Sequence, residues 1–488
     1  MKLQQLAIQG WTRVGTRFLP FADAASAELP LARLLRLSLF QVSVGMALAL
    51  LNGTLNRVMI VELSVPAWLV SLMVALPIAF APLRALVGHK SDNHLSALGW
   101  KRVPYIWFGS LMQFGGLAII PFSMLVLTGT GEGPSWVGHA GAALGFLLLG
   151  AGVHTTQTAG LALATDLAPA ATRPRVVALL YVSLLLGMVI SSLGFSALLA
   201  DFSGTRLVQV VQGAAVVTML LNAIALWKQE PRRPRGAMPA DEAPAPSFRQ
   251  AWSAFINLPR ARRLMWAVGL GTAAFSMQDI LLEPYGGQIL GLAVGSTSAL
   301  TALTAWGALL AFALAAKKLQ QGADPVRLAA QGALIGLAAF AAVIFASPLS
   351  MPLVFYVGAV LIGLGGGLFS VATLTEAMGL DVSAGAATGL GHGIALGAFG
   401  AVQATAMGAS VALGGGLRDV VSALAEAGLL GGALNNAVTG YGVVYCLEIV
   451  LLFATLIALG PLARRSRSAS LSGPATTTPK FGLAEFPG

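Results

Sequence analysis

The chain has 488 residues, of which 56% are hydrophobic and 10% charged; 29 lysines and arginines stand against 19 acids, the formal net charge is +10, and the mean hydropathy is +0.80. A water-soluble core is excluded, because too little polar surface would remain to cover it, and apolar runs near or above the roughly 20 residues needed to cross a bilayer recur from end to end. A disulfide framework or a cysteine-based metal site is excluded as well, since Cys446 stands alone in an apolar run, where a small buried residue is expected.

Residues 1–33 are polar, are interrupted by Pro20 and Pro30, and hold no sustained apolar run before Leu34, so no cleavable signal is expected. Within them Leu3, Leu6, Trp11, Val14 and Phe18 fall close to one helical face, as in an interfacial helix, although a partly ordered tail reads the same. Apolar runs then predict spans at 34–62, 65–87, 103–127, 139–165, 174–200 and 205–227, and again at 264–290, 297–316, 326–347, 351–378, 384–413 and 434–460. Residues 228–263, rich in proline and charge, predict a cytoplasmic linker, and 461–488 a disordered cytoplasmic tail. The expected fold is an all-α polytopic membrane protein, with twelve transmembrane helices in two pseudo-symmetric six-helix bundles (34–227 and 264–460) and both termini cytoplasmic.

Charge placement supports that topology. On this reading 26 of the 29 basic residues fall on one face, with Arg57, Arg206 and Arg418 elsewhere, which is the asymmetry expected of a cytoplasmic side. The positive balance therefore reports orientation and gives no reason to invoke nucleic acid. A weak internal repeat lays LGAGVHTTQTAG over IGLGGGLFSVAT, with Gly150 on Gly363 and Gly152 on Gly365.

Two halves joined by a cytoplasmic linker resemble the major facilitator superfamily, which implies a ligand site near the midplane between them. The loop after the second span resembles that superfamily's loop signature in Gly88, Asp92, Gly99, Lys101 and Arg102, with a longer gap between Asp92 and Gly99. The resemblance implies a conformational latch; a solvated basic loop that only fixes topology is the alternative.

Ionisable groups inside spans are costly and functional by default. Arg57 and Glu62 fall late in the first span, and Gln278, Asp279 and Glu283 late in the seventh, at pseudo-equivalent positions facing the seam. A charge pair or gate between halves, with Arg57 opposite Asp279 or Glu283, is the first expectation. A proton-coupling carboxylate and an interfacial location are the other two readings. The run His154, Thr155, Thr156, Gln157, Thr158 presents polar groups in several directions, with His154 and Thr158 on one face. GLGGGLFS sits within a span and lacks a preceding strand, so close helix packing explains it better than dinucleotide binding. No catalytic arrangement and no metal cluster within the protein stands out, and an enzyme is not expected.

The phrases LPLARLLRLSLFQVSVGMALALLNGTLNRVMIVEL, GHKSDNHLSALGWKRVPYIWFGSLMQFGGLAIIPF and QDILLEPYGGQILGL resemble the PucC-type family of the major facilitator superfamily, from about residue 30 to about 460. The resemblance implies an assembly factor for light-harvesting antenna complexes in the bacterial inner, intracytoplasmic photosynthetic membrane. It implies delivery of bacteriochlorophyll, or a precursor bound as ligand, to light-harvesting alpha and beta polypeptides of the core or peripheral antenna, a chaperone's work. The reaction-centre core complex, pigment-synthesis enzymes and membrane lipids are further expected partners, and no cofactor is required. His154, and in the same way His392, could ligate the magnesium of such a pigment or simply hydrogen-bond a neighbouring helix. A seam at Gly365, Gly366 and Gly367, with Thr155, Thr158, Ser370 and Thr373, would admit a flat ring with few strong polar contacts. The competing function is a proton-coupled transporter or flippase of a small solute or lipid.

Overall fold

The structure is a computed structural model describing residues 24–26, 29–79, 96, 99–127, 134–169, 172–231, 257–388 and 394–471. The apolar runs fold as helices because no backbone polar group can be left unpaired in hydrocarbon. In chain order these are α1 (Leu31–Glu62), α2 (Ala67–Ala79), α3 (Val103–Leu127), α4 (Ser135–Leu167), α5 (Arg173–Leu198), α6 (Gly204–Leu226), α7 (Pro259–Ser276), α8 (Leu282–Gln288), α9 (Val294–Gln320), α10 (Pro325–Ala346), α11 (Pro352–Thr388), α12 (Ile394–Glu426) and α13 (Val438–Leu471). Among the described residues nine of them, all but α2, α7, α8 and α12, contain stretches long and apolar enough to cross a membrane.

Three sequence expectations are corrected here. The predicted seventh span is two helices, α7 and α8, separated by turns at 277–281, and α7 begins at Pro259, inside the predicted linker, because proline at the first helical position is pre-set for helix. Cys446 is exposed on α13 rather than buried, because the outward face of this helix is itself apolar. Residues 1–23, most of the linker and the tail after Leu471 lie outside the described residues, as do the predicted interfacial helix and the tail's predicted disorder.

Helices on either side of the linker pack chiefly among themselves: α1 on α5 and α6, α3 on α4 and α6, α9 and α10 on α11, and α13 on α7 and α10. The two groups meet where α2 packs on α12 and α5 on α9. The internal repeat is visible as a shared contact. A methyl at Gly152 of α4 would sit 2.6 Å from the Gly109 carbonyl of α3, and one at Gly365 of α11 would sit 2.8 Å from the Gly332 carbonyl of α10. Each glycine lets two backbones meet at the same place in its half. Outward faces carry large apolar side chains, among them Phe108, Phe122, Ile190, Leu353 and Ile457, as a lipid surface requires.

Polar contacts hold the end of the molecule where α1 begins, called here the basic end. Gly99 adopts a left-handed backbone (φ +82°) that turns the chain into α3. Glu230, just past α6, then accepts the N–H groups of Lys101 (2.7 Å), Arg102 (3.0 Å) and Val103 (2.9 Å). A carboxylate at a helix N-terminus satisfies orphan donors and meets the positive end of the dipole. Arg33 of α1 secures the same segment by donating its Nε to Gln229 Oε1 at 3.0 Å. Glu230→Ala is therefore expected to cost about 1–2 kcal/mol, as loss of a cap does, measured as a lower melting midpoint of the purified protein, with Glu230→Gln intermediate.

Candidate functional site

The far end of α1 explains why charges can sit inside this protein. Two of its turns are widened into π-helix, at Leu50–Thr54 and Val58–Glu62, on either side of Arg57. Such bulges loosen the α-helical register and cluster at functional sites. At the pseudo-equivalent place in the other half the helix breaks at 277–281, beside Gln278 and Asp279.

Arg57 is 4% exposed and pairs with Glu62 of its own helix. The expectation of a pair with Asp279 or Glu283 is thus corrected. Residues five apart are not neighbours on a regular α-helix, but i→i+5 bonding in the widened turn brings them together. The inter-half link runs instead from Arg57 Nη2 to the carbonyl of Leu292, 3.1 Å away. Glu283 is 3% exposed, feels the Arg57 charge, and accepts a hydrogen bond from Thr301 at 2.6 Å. Gly53 makes room for that carboxylate, and Thr54 meets Ser298 at 3.0 Å across the seam. Gln278 donates to Asp279 Oδ1 at 2.8 Å.

A second strand of contacts, missed in the sequence, continues across the same end. Gln288 Nε2 reaches the Ile60 carbonyl at 3.4 Å, and its Oε1 accepts from Arg418 (2.6 Å) and the Tyr441 hydroxyl (2.7 Å). Arg418 also lies over the Tyr441 ring, 4.7 Å from its centre, and bonds Asp419 at 2.7 Å. Asp419 in turn accepts the Trp68 N–H at 2.8 Å, so a carboxylate of one half caps the first turn of α2 in the other. Depth gave no signal here, because the predicted span ends at 413, whereas α12 runs on to Glu426 and carries Arg418 and Asp419 within the helix.

Of the other expected site residues, His154, Thr155, Gln157 and Thr158 are half-buried on α4, while Thr156 is buried and accepts from Gln113 at 2.8 Å. Thr158 donates to the His154 carbonyl at 2.7 Å. The open glycine seam is corrected. Gly365 abuts the backbone of α10, Gly366 faces the Phe275 ring, and Gly367 meets Ala308 and Ala311, so packed helices occupy the space a ring would need. Thr373 is buried and donates to the Phe369 carbonyl at 2.7 Å, while Gln403 Nε2 stands 3.5 Å from Ser370 Oγ. His392, Gly88 and Asp92 lie outside the described residues. Lys101 and Arg102 sit at the Glu230 cap, and Arg102 Nε bonds Asp166 at 3.0 Å, tying the start of α3 to the end of α4. Arg260 and Glu376, 2.6 Å apart, tie α7 to α11 at the same end of the other half.

The profile of the family described as PUCC protein matches residues 54–467. Protein PucC of Rhodovulum sulfidophilum is 55% identical over 407 residues, covering 83% of this chain and 88% of that one. A protein of Rhodobacter capsulatus, described as uncharacterized and in the puhA-bchM intergenic region, is 55% identical over 471 residues, 96% and 97% of the two chains. Among solved structures, a bacterial homolog of the human lysosomal transporter Spinster, inward-facing and unoccupied, matches with a TM-score of 0.64 over 91% of this chain and 98% of that one. At 16% identity this likeness shows a shared fold and nothing finer.

Proposed function

The chain belongs to the PUCC protein family, and from that membership we propose that it is an assembly factor for light-harvesting antenna complexes, handling bacteriochlorophyll or a precursor within the membrane and passing it to antenna polypeptides. The observation that carries this reading is the family match over residues 54–467 together with 55% identity over 407 residues to protein PucC of Rhodovulum sulfidophilum. Its role lies in light-harvesting complex function; delivery of pigment is the finer proposal.

The proposed topology has twelve crossings in two six-helix halves, with the basic end cytoplasmic in the inner, intracytoplasmic membrane. The contacts from Arg57 to Leu292 and from Asp419 to Trp68 hold the halves together at the other end. A seam closed there would admit an amphiphile from the basic end or from the bilayer. A tetrapyrrole with a hydrocarbon tail has little access to water, so carriage within the membrane suits it. His154 offers the imidazole that its magnesium would take as an axial ligand, with Thr155 and Gln157 beside it on the half-buried side of α4. The chain acts here as carrier and chaperone, without catalysis, and its proposed partners are the alpha and beta antenna polypeptides and the reaction-centre core.

Purification from phototrophic cells tests this. Pigment absorbance and antenna polypeptides are expected to travel with the protein, and His154→Leu is expected to lower pigment content several-fold at unchanged protein yield. Pigment-free protein from pigment-producing cells would remove the proposal.

A further inference from the structure

The second half contains a polar cluster that the seam contacts do not use. Glu448, in the middle of α13, is 0% exposed, and neither of its carboxylate oxygens has a hydrogen-bond partner among the described residues. It faces the Asp279 carboxylate and the backbone N–H of Gln278 at the break between α7 and α8, the latter without closing a hydrogen bond. Tyr445 lies one turn earlier on the same face of α13; it is 0% exposed, sits beside Glu448, and its hydroxyl is also without a partner among those residues. Gln278 is 3% exposed and spends its Nε2 on Asp279 (2.8 Å) and the Phe275 carbonyl (3.2 Å), which leaves its Oε1 an acceptor with no donor.

Among the described residues no uncommitted base balances the two acids. Arg57 is committed to Glu62 and Leu292, and Arg418 to Asp419, Gln288 and the Tyr441 ring. The other titratable groups facing the cluster are Tyr285 on α8 and Tyr441 on α13, with Arg418 and Asp419 of α12 behind Tyr441. Neighbouring carboxylates in an apolar setting cannot both stay ionised and alone, and orphaned buried oxygens are expensive. One positive ion among them answers both problems. The donors are all oxygen, which selects a hard cation, and because Asp279 keeps some exposed surface, a single positive charge suffices for the sealed Glu448.

We propose that Asp279 and Glu448, with Gln278 and Tyr445, form a buried site for one exchangeable monovalent cation, a proton or an alkali ion, between the α7–α8 break and α13. Asp279 keeps some exposed surface and is the entry, while Glu448 is sealed behind it. Met277, at the same break, packs on the α12 backbone at Gly414. Occupancy of the site is thereby coupled to the helix that closes the far end. The inference does not rest on pigment handling.

The full chain, purified in lipid nanodiscs, provides the test. If the ion is an alkali cation, sodium or lithium chloride raises the melting midpoint relative to choline chloride, as a ligand that binds only the folded state must. If it is a proton, the midpoint ignores alkali salts, and the infrared spectrum shows a protonated-carboxyl band that Glu448→Gln removes. Asp279→Asn abolishes an alkali response but only shifts a carboxyl band, because Glu448 stays buried, and Tyr445→Phe, which keeps both acids, shifts either. Wild-type protein indifferent to alkali salts and without such a band overturns the proposal, as does a full response retained in Glu448→Gln.

Discussion

Glu62→Ala is expected to damage the protein more than Arg57→Ala, although the two side chains form one ion pair. Arg57 is 4% exposed and Glu62 35% exposed. Removing the acid leaves a buried guanidinium that cannot shed its charge, with only the Leu292 carbonyl and the nearby Glu283 to answer it, at a cost of up to about 3–5 kcal/mol. Removing the base leaves Glu62 able to reach water and Glu283 able to take up a proton, so the loss is smaller. Arg57→Lys should not restore the wild type, since a single ammonium cannot serve both Glu62 and the Leu292 carbonyl. The double variant Arg57→Ala with Glu62→Ala should lose less than the sum of the singles, whereas Arg57→Ala with Asp279→Asn should be additive. Yield of monodisperse protein and its melting midpoint read this out; an Arg57→Ala variant worse than Glu62→Ala would contradict the assignment.

Gly152→Leu and Gly365→Leu should each prevent stable assembly of their own half. The first atom added at Gly152 would lie 2.6 Å from the Gly109 carbonyl and 2.6 Å from the Gln113 nitrogen, and at Gly365 2.8 Å from the Gly332 carbonyl. These neighbours are backbone, so the helices must move apart. Overpacking a well-packed core costs about 1–3 kcal/mol, and a leucine against fixed backbone belongs at or above the upper end. Gly366→Ala is the control, because its nearest neighbour is the Phe275 ring at 3.3 Å, a side chain that can yield. Protease resistance of the two halves would locate each defect, and equal sensitivity of Gly366→Ala would argue against backbone contact as the cause.

These two experiments also mark where sequence reasoning reached and where it stopped. The positions of the helices were legible because hydrocarbon demands long apolar runs, and the depth of Arg57 was legible because charge is rare there. Its partner was not. Spacing of five argues against contact on a regular helix, and nothing in NRVMIVEL announces the widened turn that reverses that argument. GLGGGLFS read correctly as a packing motif when taken alone and incorrectly as part of a pigment seam, because glycine permits either and only the neighbouring helices decide. Glu448 could have been found by the rule that drew attention to Asp279, since VVYCLEIVLLF holds a lone acid in an apolar run. Glu230 could not, because its role depends on a helix that begins more than a hundred residues earlier.

The widened turns of α1 have a genetic consequence. A π-bulge amounts to one extra residue lodged in an α-helix, and each residue of a regular helix turns the chain by about 100°. Deleting one residue between Leu50 and Thr54 would leave a well-formed spanning helix whose composition scarcely changes, yet it would swing Arg57 away from Leu292 towards a different neighbour. Length polymorphism within this short segment therefore carries more information about the Arg57–Leu292 contact than substitution does, and an alignment that silently closes such a gap would erase it.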